Sequence, residues 1–258
     1  MEKITSRNNP ISVHFRKLGS SKSYREKSGE FLCEGVKLLQ EAVQSGIEVI
    51  AVLTASSVSI PLSVDTRVYF TDQKLIDSIS TLTNAGDTLF SCKLNALDSG
   101  EDVDGGFEMD GTHILLDGVQ DPGNVGTIMR SADALGISSV ILTGACADPH
   151  NPKTIRASMG AVFRQRVYSL TLPQLNELKL SGARFVGAAL FDDSASIHDL
   201  SLKGKIIAIG SEGKGLSRDI LDICEETVKI PISSHCESLN AAVAAGILIW
   251  EAVGREKR

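Results

Sequence analysis

The chain has 258 residues, 42% of them hydrophobic and 22% charged, and a formal net charge of −6. This size and composition predict a soluble globular protein with ample apolar core, in one large domain or two smaller ones. No segment approaches the roughly 18 apolar residues of a membrane-spanning helix, and the first residues lack the apolar stretch of a signal peptide. We therefore expect a cytoplasmic protein.

Charge is distributed unevenly along the chain. Residues 1–40 hold eight basic and four acidic side chains, whereas residues 97–110 hold six acidic and no basic ones. An acidic protein with a basic front end can still bind phosphate locally, although an ordinary solvated surface explains the pattern equally well. The five cysteines are scattered, without a C-x-x-C pair. They predict free thiols and no metal site.

The first 96 residues are predicted to form a small α/β domain. Apolar residues at near-helical spacing indicate a helix over residues 31–44. The other predicted elements are strands at 49–53, 67–70 and 88–94 and a helix at 72–80. The acidic, glycine-containing stretch 97–111 has the composition of a linker, so a domain boundary is expected there.

A second domain is predicted over residues 112–258. Its expected strands are 113–117, 140–142, 166–170, 185–189, 205–209 and 228–230. Its expected helices are 127–135, 153–160, 172–180 and a final one after residue 239 that is rich in alanine. Strands that alternate with helices are typical of a mostly parallel sheet covered on both faces.

A glycine-rich turn, GSEGKGL at residues 210–216, follows the apolar strand that ends at Ile209. Its glycines allow the backbone to approach a ligand, although a tight turn without a ligand explains them as well. The spacing matches neither G-x-G-x-x-G nor the phosphate-binding G-x-x-x-x-G-K-[ST]. A dinucleotide-dependent oxidoreductase is therefore disfavoured.

Three blocks occur in one order: DPGNVGTIMRSA at 121–132, IGSEGKGL at 209–216, and Ile230-Pro231 with SLNAAVA at 238–244. Together they resemble the three motifs of the SpoU/TrmH family of RNA ribose 2′-O-methyltransferases, in the SPOUT superfamily. The resemblance covers about residues 112–254. The stretch FLCEGVK at 31–37 resembles the ribosomal-protein-like substrate-binding domain that many members carry.

The resemblance implies a parallel α/β domain with a trefoil knot, which general topology rules would not predict. It also implies a homodimer with the active site at the interface, and this suits the small residues of the final helix. The methyl donor is S-adenosylmethionine, which the knotted loops would hold. Gly210, Ile230 and Leu239 match the donor-binding positions, and the loop at Thr143 is expected to form a fourth wall.

The same resemblance assigns the catalytic set. Asn124 shapes the active site, and Arg130 acts on the ribose 2′-hydroxyl. Because arginine stays protonated at ordinary pH, we expect Arg130 to orient the ribose and stabilise the developing alkoxide rather than remove the proton. Glu212 is expected to hold Arg130 or a loop amide. Ser238 and Asn240 are expected to hold the target nucleotide or the Asn124 loop, with helix or turn capping as the plainer alternative for each.

RNA contacts are expected from Arg7, Arg25 and Lys27 at the front end and from Arg156 near the site. The predicted function is methylation of a ribose 2′-hydroxyl in structured RNA. Ribosomal RNA is expected in preference to transfer RNA because of the front domain. A methyltransferase that confers antibiotic resistance fits the sequence equally well. A non-catalytic RNA-binding or ribosome-assembly factor is disfavoured, because such a protein has no need of the polar set.

Overall fold

The computed structural model describes residues 2–82, 85–94, 107–233 and 235–254. Its contacts group the chain into two compact units, one of residues 1–95 with 148–164 and one of residues 96–147 with 165–258. The sequence predicts a second domain over residues 112–258, whereas residues 148–164 group by contacts with the first unit. Most of the predicted acidic linker, residues 97–106, lies outside the described residues.

The elements largely follow the predicted ones. The described strands are β1 (Glu2–Lys3), β2 (Glu30–Glu34), β3 (Val49–Thr54), β4 (Arg67–Phe70), β5 (Thr88–Lys93), β6 (His113–Asp117), β7 (Ser139–Thr143), β8 (Val167–Ser169), β9 (Phe185–Ala188), β10 (Ala195–Ser196), β11 (Ile206–Gly210) and β12 (Glu226–Lys229). The described helices are α1 (Pro10–Ser20), α2 (Lys22–Ser28), α3 (Val36–Gln44), α4 (Gln73–Ile79), α5 (Pro122–Leu135), α6 (Pro152–Ser158), α7 (Leu172–Leu180), α8 (Arg218–Ile223) and α9 (Ala241–Gly254). Within the described ranges, no helix is long and apolar enough to cross a membrane.

The first unit has a five-strand mixed sheet in the order β1-β4-β3-β5-β2. The predicted helix over 31–44 is wrong in its first part, because β2 pairs with β5 there and buries Phe31, Leu32 and Cys33 in succession. A run that is buried on both faces has no alternation and imitates a buried helix segment. Gly35, at φ 100°, ends the strand and begins α3.

Residues 148–164 are built into the core of the first unit. Ile155 of α6 and Phe163 pack in one cluster with Phe31. Arg25 donates to the Asp148 carboxylate at 2.5 Å and to the Leu18 carbonyl at 2.6 Å. Only 3% of Arg25 is exposed, so the expectation that it contacts RNA phosphates is corrected. Its charge is neutralised inside the unit.

The second unit has a seven-strand sheet in the order β10-β12-β9-β11-β6-β7-β8, with every pair parallel. On one face, buried side chains such as Leu115 and Phe185 pack with apolar residues of α7 and α8. Helices α5 and α9 pack along each other. The predicted parallel sheet is confirmed. Because all strands run one way, β9, β11 and β12 end at the same edge.

Helix α5 begins earlier than predicted. Asp121 caps it by accepting a hydrogen bond from the Asn124 amide at 2.8 Å, and Pro122 occupies the first helical position. Proline suits that position because its missing N–H would have no partner there. Asn124 therefore lies in the first turn, where its side chain is free for other contacts.

We expect Arg25→Met to lower the free energy of unfolding by about 3 kcal/mol, because it leaves Asp148 as a buried carboxylate without its cation. Urea denaturation measures this loss. Lys22→Met is the matched control on the same helix, since Lys22 forms an exposed pair with Glu26 and such pairs contribute less than about 0.5 kcal/mol. Equal losses in the two variants would contradict a structural role for the buried pair.

Candidate active site

A cavity of about 320 Å³ opens at the edge of the second unit where β9, β11 and β12 end. Its walls come from four segments, within residues 188–191, 209–216, 228–232 and 238–244, together with Leu221 of α8. The volume is in the range of small-molecule sites, roughly 300–1,000 Å³, and such sites occur at the carboxyl ends of parallel strands. The lining is largely apolar, with Ser211, Glu212, Lys214, Lys229 and Ser238 as polar members.

Three of the four residues predicted to hold the donor line this cavity: Gly210, Ile230 and Leu239. Thr143 does not. It ends β7, is buried, and its carbonyl accepts from Gly118 N and Cys146 Sγ. In this cavity the fourth wall is formed by residues 188–191, at and after the end of β9. Strand order explains the difference, because β9 lies beside β11 and β12 whereas β6 separates β7 from β11.

The turn after β11 requires glycine at position 210. Ser211 and Gly215 form a two-way backbone bridge, with N–O distances of 3.1 and 2.8 Å, that folds the turn back on itself. A Cβ atom on Gly210 would lie 2.0 Å from the Gly215 carbonyl carbon. Asp117, at the end of β6, accepts from the Ser217 amide at 2.6 Å and fixes the far end of the turn. The sequence analysis did not single out Asp117.

Glu212 joins the three motif blocks. Its Oε1 atom accepts hydrogen bonds from Asn124 Nδ2 at 2.5 Å and from Asn240 Nδ2 at 2.7 Å, and lies 3.4 Å from the Ala241 amide nitrogen. Asn240 Nδ2 also donates to Asn124 Oδ1 at 3.1 Å. The sequence predicts either Arg130 or a loop amide as the partner of Glu212. In the structure its partners are amides, and Arg130 is not among them.

Asn240 also caps the last helix. Its Oδ1 accepts from the amides of Ala242 at 3.0 Å and Val243 at 3.3 Å. The capping role considered for Ser238 thus belongs to Asn240, and Ser238 is an exposed residue of the cavity wall. One asparagine side chain sets the start of α9 and the position of Glu212 together.

Arg130 is exposed on α5, six residues after Asn124. Within the described part of the chain it makes no hydrogen bond or ion pair. No ion pair within the described residues therefore holds this exposed arginine at the surface. Its guanidinium, a permanent cation with several donors, is available to a substrate.

The remaining predicted RNA contacts lie on the first unit. Arg7, Lys27 and Arg156 are exposed. Arg7 donates to the Ser78 carbonyl at 3.1 Å, which fixes its direction without neutralising its charge. The three side chains can meet phosphate oxygens, which is all that sequence-independent RNA contact requires.

Of the five cysteines, all within the described residues, four are buried or partly buried and Cys236 is exposed. Cys33 and Cys92 are buried, and burial raises the pKa of the Cys146 thiol and that of Cys224, the latter to about 12. A thiol with a raised pKa stays protonated and is a poor nucleophile. The described residues also contain no group of three or more His, Cys, Asp or Glu side chains suited to a metal ion.

Fold and site define a class: a parallel α/β enzyme domain with a ligand cavity at the strand ends, preceded by a mixed α/β unit. The sequence model of the SpoU rRNA Methylase family matches residues 111–250, over half of the chain. The chain belongs to this family. A second model, the MRM3-like substrate binding domain, matches residues 9–89.

The similarity to known proteins extends over nearly the whole chain. The 23S rRNA (guanosine(2553)-2′-O)-methyltransferase RlmP of Bacillus subtilis is 30% identical over 98% of this chain and 100% of its own. The AdoMet-bound rRNA methyltransferase of Sinorhizobium meliloti superposes with a TM-score of 0.86 at 27% identity, covering 98% of both chains. AviRb of Streptomyces viridochromogenes, in complex with AdoMet, gives 0.84 at 26% identity over 97% of this chain and 99% of its own.

We expect Gly210→Ala to lower the free energy of unfolding by about 2 kcal/mol or more, because the added Cβ meets backbone rather than a movable side chain. Gly213→Ala is the matched control in the same turn, since a Cβ there has nothing within 4 Å. Urea denaturation of the two variants checks the difference. A neutral Gly210→Ala would mean that the bridged turn is not required.

Proposed function

We propose that this chain is an S-adenosylmethionine-dependent methyltransferase that methylates a ribose 2′-hydroxyl of ribosomal RNA. The observation that carries the proposal is the Glu212 cluster, in which Asn124, Glu212 and Asn240 from the three family motifs meet at the rim of a ligand cavity. Family membership and the similarity to named rRNA methyltransferases support the reaction type.

The cavity fits the adenosine part of the donor. Apolar side chains such as Leu216, Ile230 and Leu239 provide a slot for a flat ring, and Gly210 leaves backbone groups open to approach. Two similar proteins of known structure, the Sinorhizobium meliloti rRNA methyltransferase and AviRb, are bound to AdoMet. The bound donor supplies an activated methyl group, so the protein's main task is to align the ribose oxygen with it.

Glu212 is a positioning residue in this proposal. One of its carboxylate oxygens already accepts from two side-chain amides, so that oxygen is not available as a general base. The bonds instead hold the turn at 210–216 against the starts of α5 and α9. Asn124 and Asn240 are thereby fixed where a target nucleotide would enter.

Arg130 provides the positive charge that stabilises the transition state in this proposal. Its guanidinium stays protonated, so it cannot take the 2′-hydroxyl proton. It can donate to the ribose oxygen and an adjacent phosphate, and stabilise the negative charge that develops as the proton leaves to phosphate or water. Its lack of a protein partner within the described residues leaves its donors free for this purpose.

In this proposal the substrate is ribosomal RNA in preference to transfer RNA. The matched family and the Bacillus subtilis relative are named for ribosomal RNA, whereas a Synechocystis relative, 30% identical over 96% of this chain, is named a tRNA/rRNA methyltransferase. Arg7, Lys27 and Arg156 would hold RNA phosphates. A resistance role and a transfer RNA target are the alternatives. We propose a cytoplasmic location because the substrate lies there.

We also propose a homodimer. Helix α9 exposes three large apolar side chains, Val243 (52% exposed), Ile247 (36%) and Trp250 (51%). Their spacing of four and three residues places them on one stripe of the helix. A stripe of this kind fits a second copy of the same helix. The trefoil knot stays a prediction.

We expect Arg130→Ala to lower kcat for methyl transfer to ribosomal RNA by roughly 10²–10³-fold, because it removes charge stabilisation of the transition state. The dissociation constant for S-adenosylmethionine should change less than about two-fold, since Arg130 does not line the donor cavity. Transfer of labelled methyl, followed by nuclease mapping of an alkali-resistant linkage, measures the reaction. Arg218→Ala is the control, because Arg218 is an exposed arginine paired with Asp222.

Three outcomes would change the proposed role of Arg130, the proposed substrate or the proposed function. Full activity of Arg130→Lys would contradict the proposed role of the planar guanidinium. Donor binding by the wild type without transfer to naked RNA would indicate a ribosomal particle as substrate. Failure of the wild type to bind the donor at all would favour the non-catalytic RNA-binding factor.

We expect Trp250→Glu to convert a dimer into monomers at micromolar concentration, because it replaces the largest side chain of the apolar stripe with a charge. Light scattering after size-exclusion chromatography measures the mass. Leu180→Glu is the matched control, since Leu180 is 88% exposed at the end of α7 and away from the stripe. A wild-type protein that elutes as a monomer would refute the dimer.

A further inference from the structure

The segment after β9 forms one wall of the cavity but belongs to no strand or helix. Its last link to the sheet is the bond from the Ala189 amide to the Val228 carbonyl, at 3.0 Å. Leu190 and Phe191 then line the cavity while remaining 53% and 47% exposed. The segment turns back through the bond from the Ser194 amide to the Phe191 carbonyl, at 3.2 Å.

The other walls are tied down more firmly. The turn at 210–216 is closed by the Ser211–Gly215 bridge and held by Asp117 and the Glu212 cluster. The wall at 238–241 is held by Asn240. Among the described residues, the amides of 190–193 have no hydrogen-bond partner comparable to these. The conformation of this wall therefore depends on the groups that donate hydrogen bonds to its carbonyl oxygens.

Lys229, which also lines the cavity, supplies that contact. It is the last residue of β12, and its Nζ donates to the Phe191 carbonyl at 3.2 Å and to the Asp192 carbonyl at 2.9 Å. Within the described part of the chain its ammonium forms no ion pair with a carboxylate. Its own carbonyl accepts from the Ile197 amide at 3.0 Å, and its strand pairs with β9 and β10. The cation thus links a loose segment to a fixed strand.

We infer that Lys229 is a positioning residue for the methyl donor, which it serves by holding the wall formed by residues 188–191. The inference rests on the proposed function, because it needs that cavity to be the donor site. Hydrogen bonds from a charged donor are stronger than neutral ones, so two of them are enough to select one loop conformation. Without them, the donor has to order the wall when it binds, and its affinity falls.

The chemistry of the side chain separates this role from simple packing. Methionine keeps an unbranched stem of similar length but has no donor, so Lys229→Met removes the two hydrogen bonds and little volume. Arginine keeps the charge and the donors. A positioning role therefore predicts loss with methionine and recovery with arginine, whereas a packing role predicts the opposite order.

The experiment measures S-adenosylmethionine binding by calorimetry for the wild type, Lys229→Met, Lys229→Arg and Lys179→Met. Lys179 is a half-buried lysine of α7 that does not line the cavity. We expect the dissociation constant to rise roughly ten-fold in Lys229→Met and to stay within about three-fold of wild type in the other two. In the transfer assay, KM for the donor should rise while kcat at saturating donor and KM for RNA stay unchanged.

Hydrogen exchange provides a second readout on the folded protein. We expect faster exchange at the Ala189 and Ser194 amides, the two that are hydrogen-bonded in this described segment, in Lys229→Met, with β11 and β12 unchanged. If that variant does not fold, Lys229→Gln is measured in the same way. Unchanged donor affinity in a folded variant, or no recovery with arginine, overturns the inference while the proposed function stands. A wild type that binds no donor overturns both.

Discussion

The second unit depends on one carboxylate oxygen, Glu212 Oε1, and the amides that reach it. Asn124 is 88 residues away in the sequence and Asn240 is 28 residues away, yet both donate to this atom. The bonds connect the start of α5, the turn after β11 and the start of α9. A carboxylate at this point needs donors on more than one side, and two asparagine amides supply them without adding charge. This arrangement fixes the side chains of Asn124 and Asn240 at the starts of α5 and α9.

The parallel sheet determines what the cluster can serve. All of its strands end at one edge, and the three that border the cavity, β9, β11 and β12, are neighbours in space although they are separated in sequence. The turn after β11 closes over itself so tightly that Gly210 cannot carry a side chain. This close approach puts backbone polar groups and small apolar side chains around a space of nucleoside size. This geometry leaves main-chain groups open to a ligand, and Arg130, which carries a permanent positive charge, does not line the cavity.

The basic residues of the first unit serve two different purposes. Arg25 and Asp148 are both largely buried and paired, which ties α2 to the segment 148–164 inside the same unit. Arg156, carried on α6 of that segment, remains exposed, as do Arg7 and Lys27. The unit therefore uses one arginine to stabilise its fold and keeps others at its surface. Overall net charge, which is negative, conceals this local supply of cations.

The sequence by itself determined the parallel α/β class, most strands and helices, and the residues of the Glu212 cluster with Gly210, Ile230 and Leu239. These follow from local periodicity, turn chemistry and the motif resemblance. Only the tertiary structure decided that residues 188–191 and not Thr143 form the fourth wall, that residues 31–34 are a strand, and that Arg25 is buried. Each of these depends on which distant segment lies alongside, and side-chain spacing along the chain carries no information about strand order or about a partner 123 residues away.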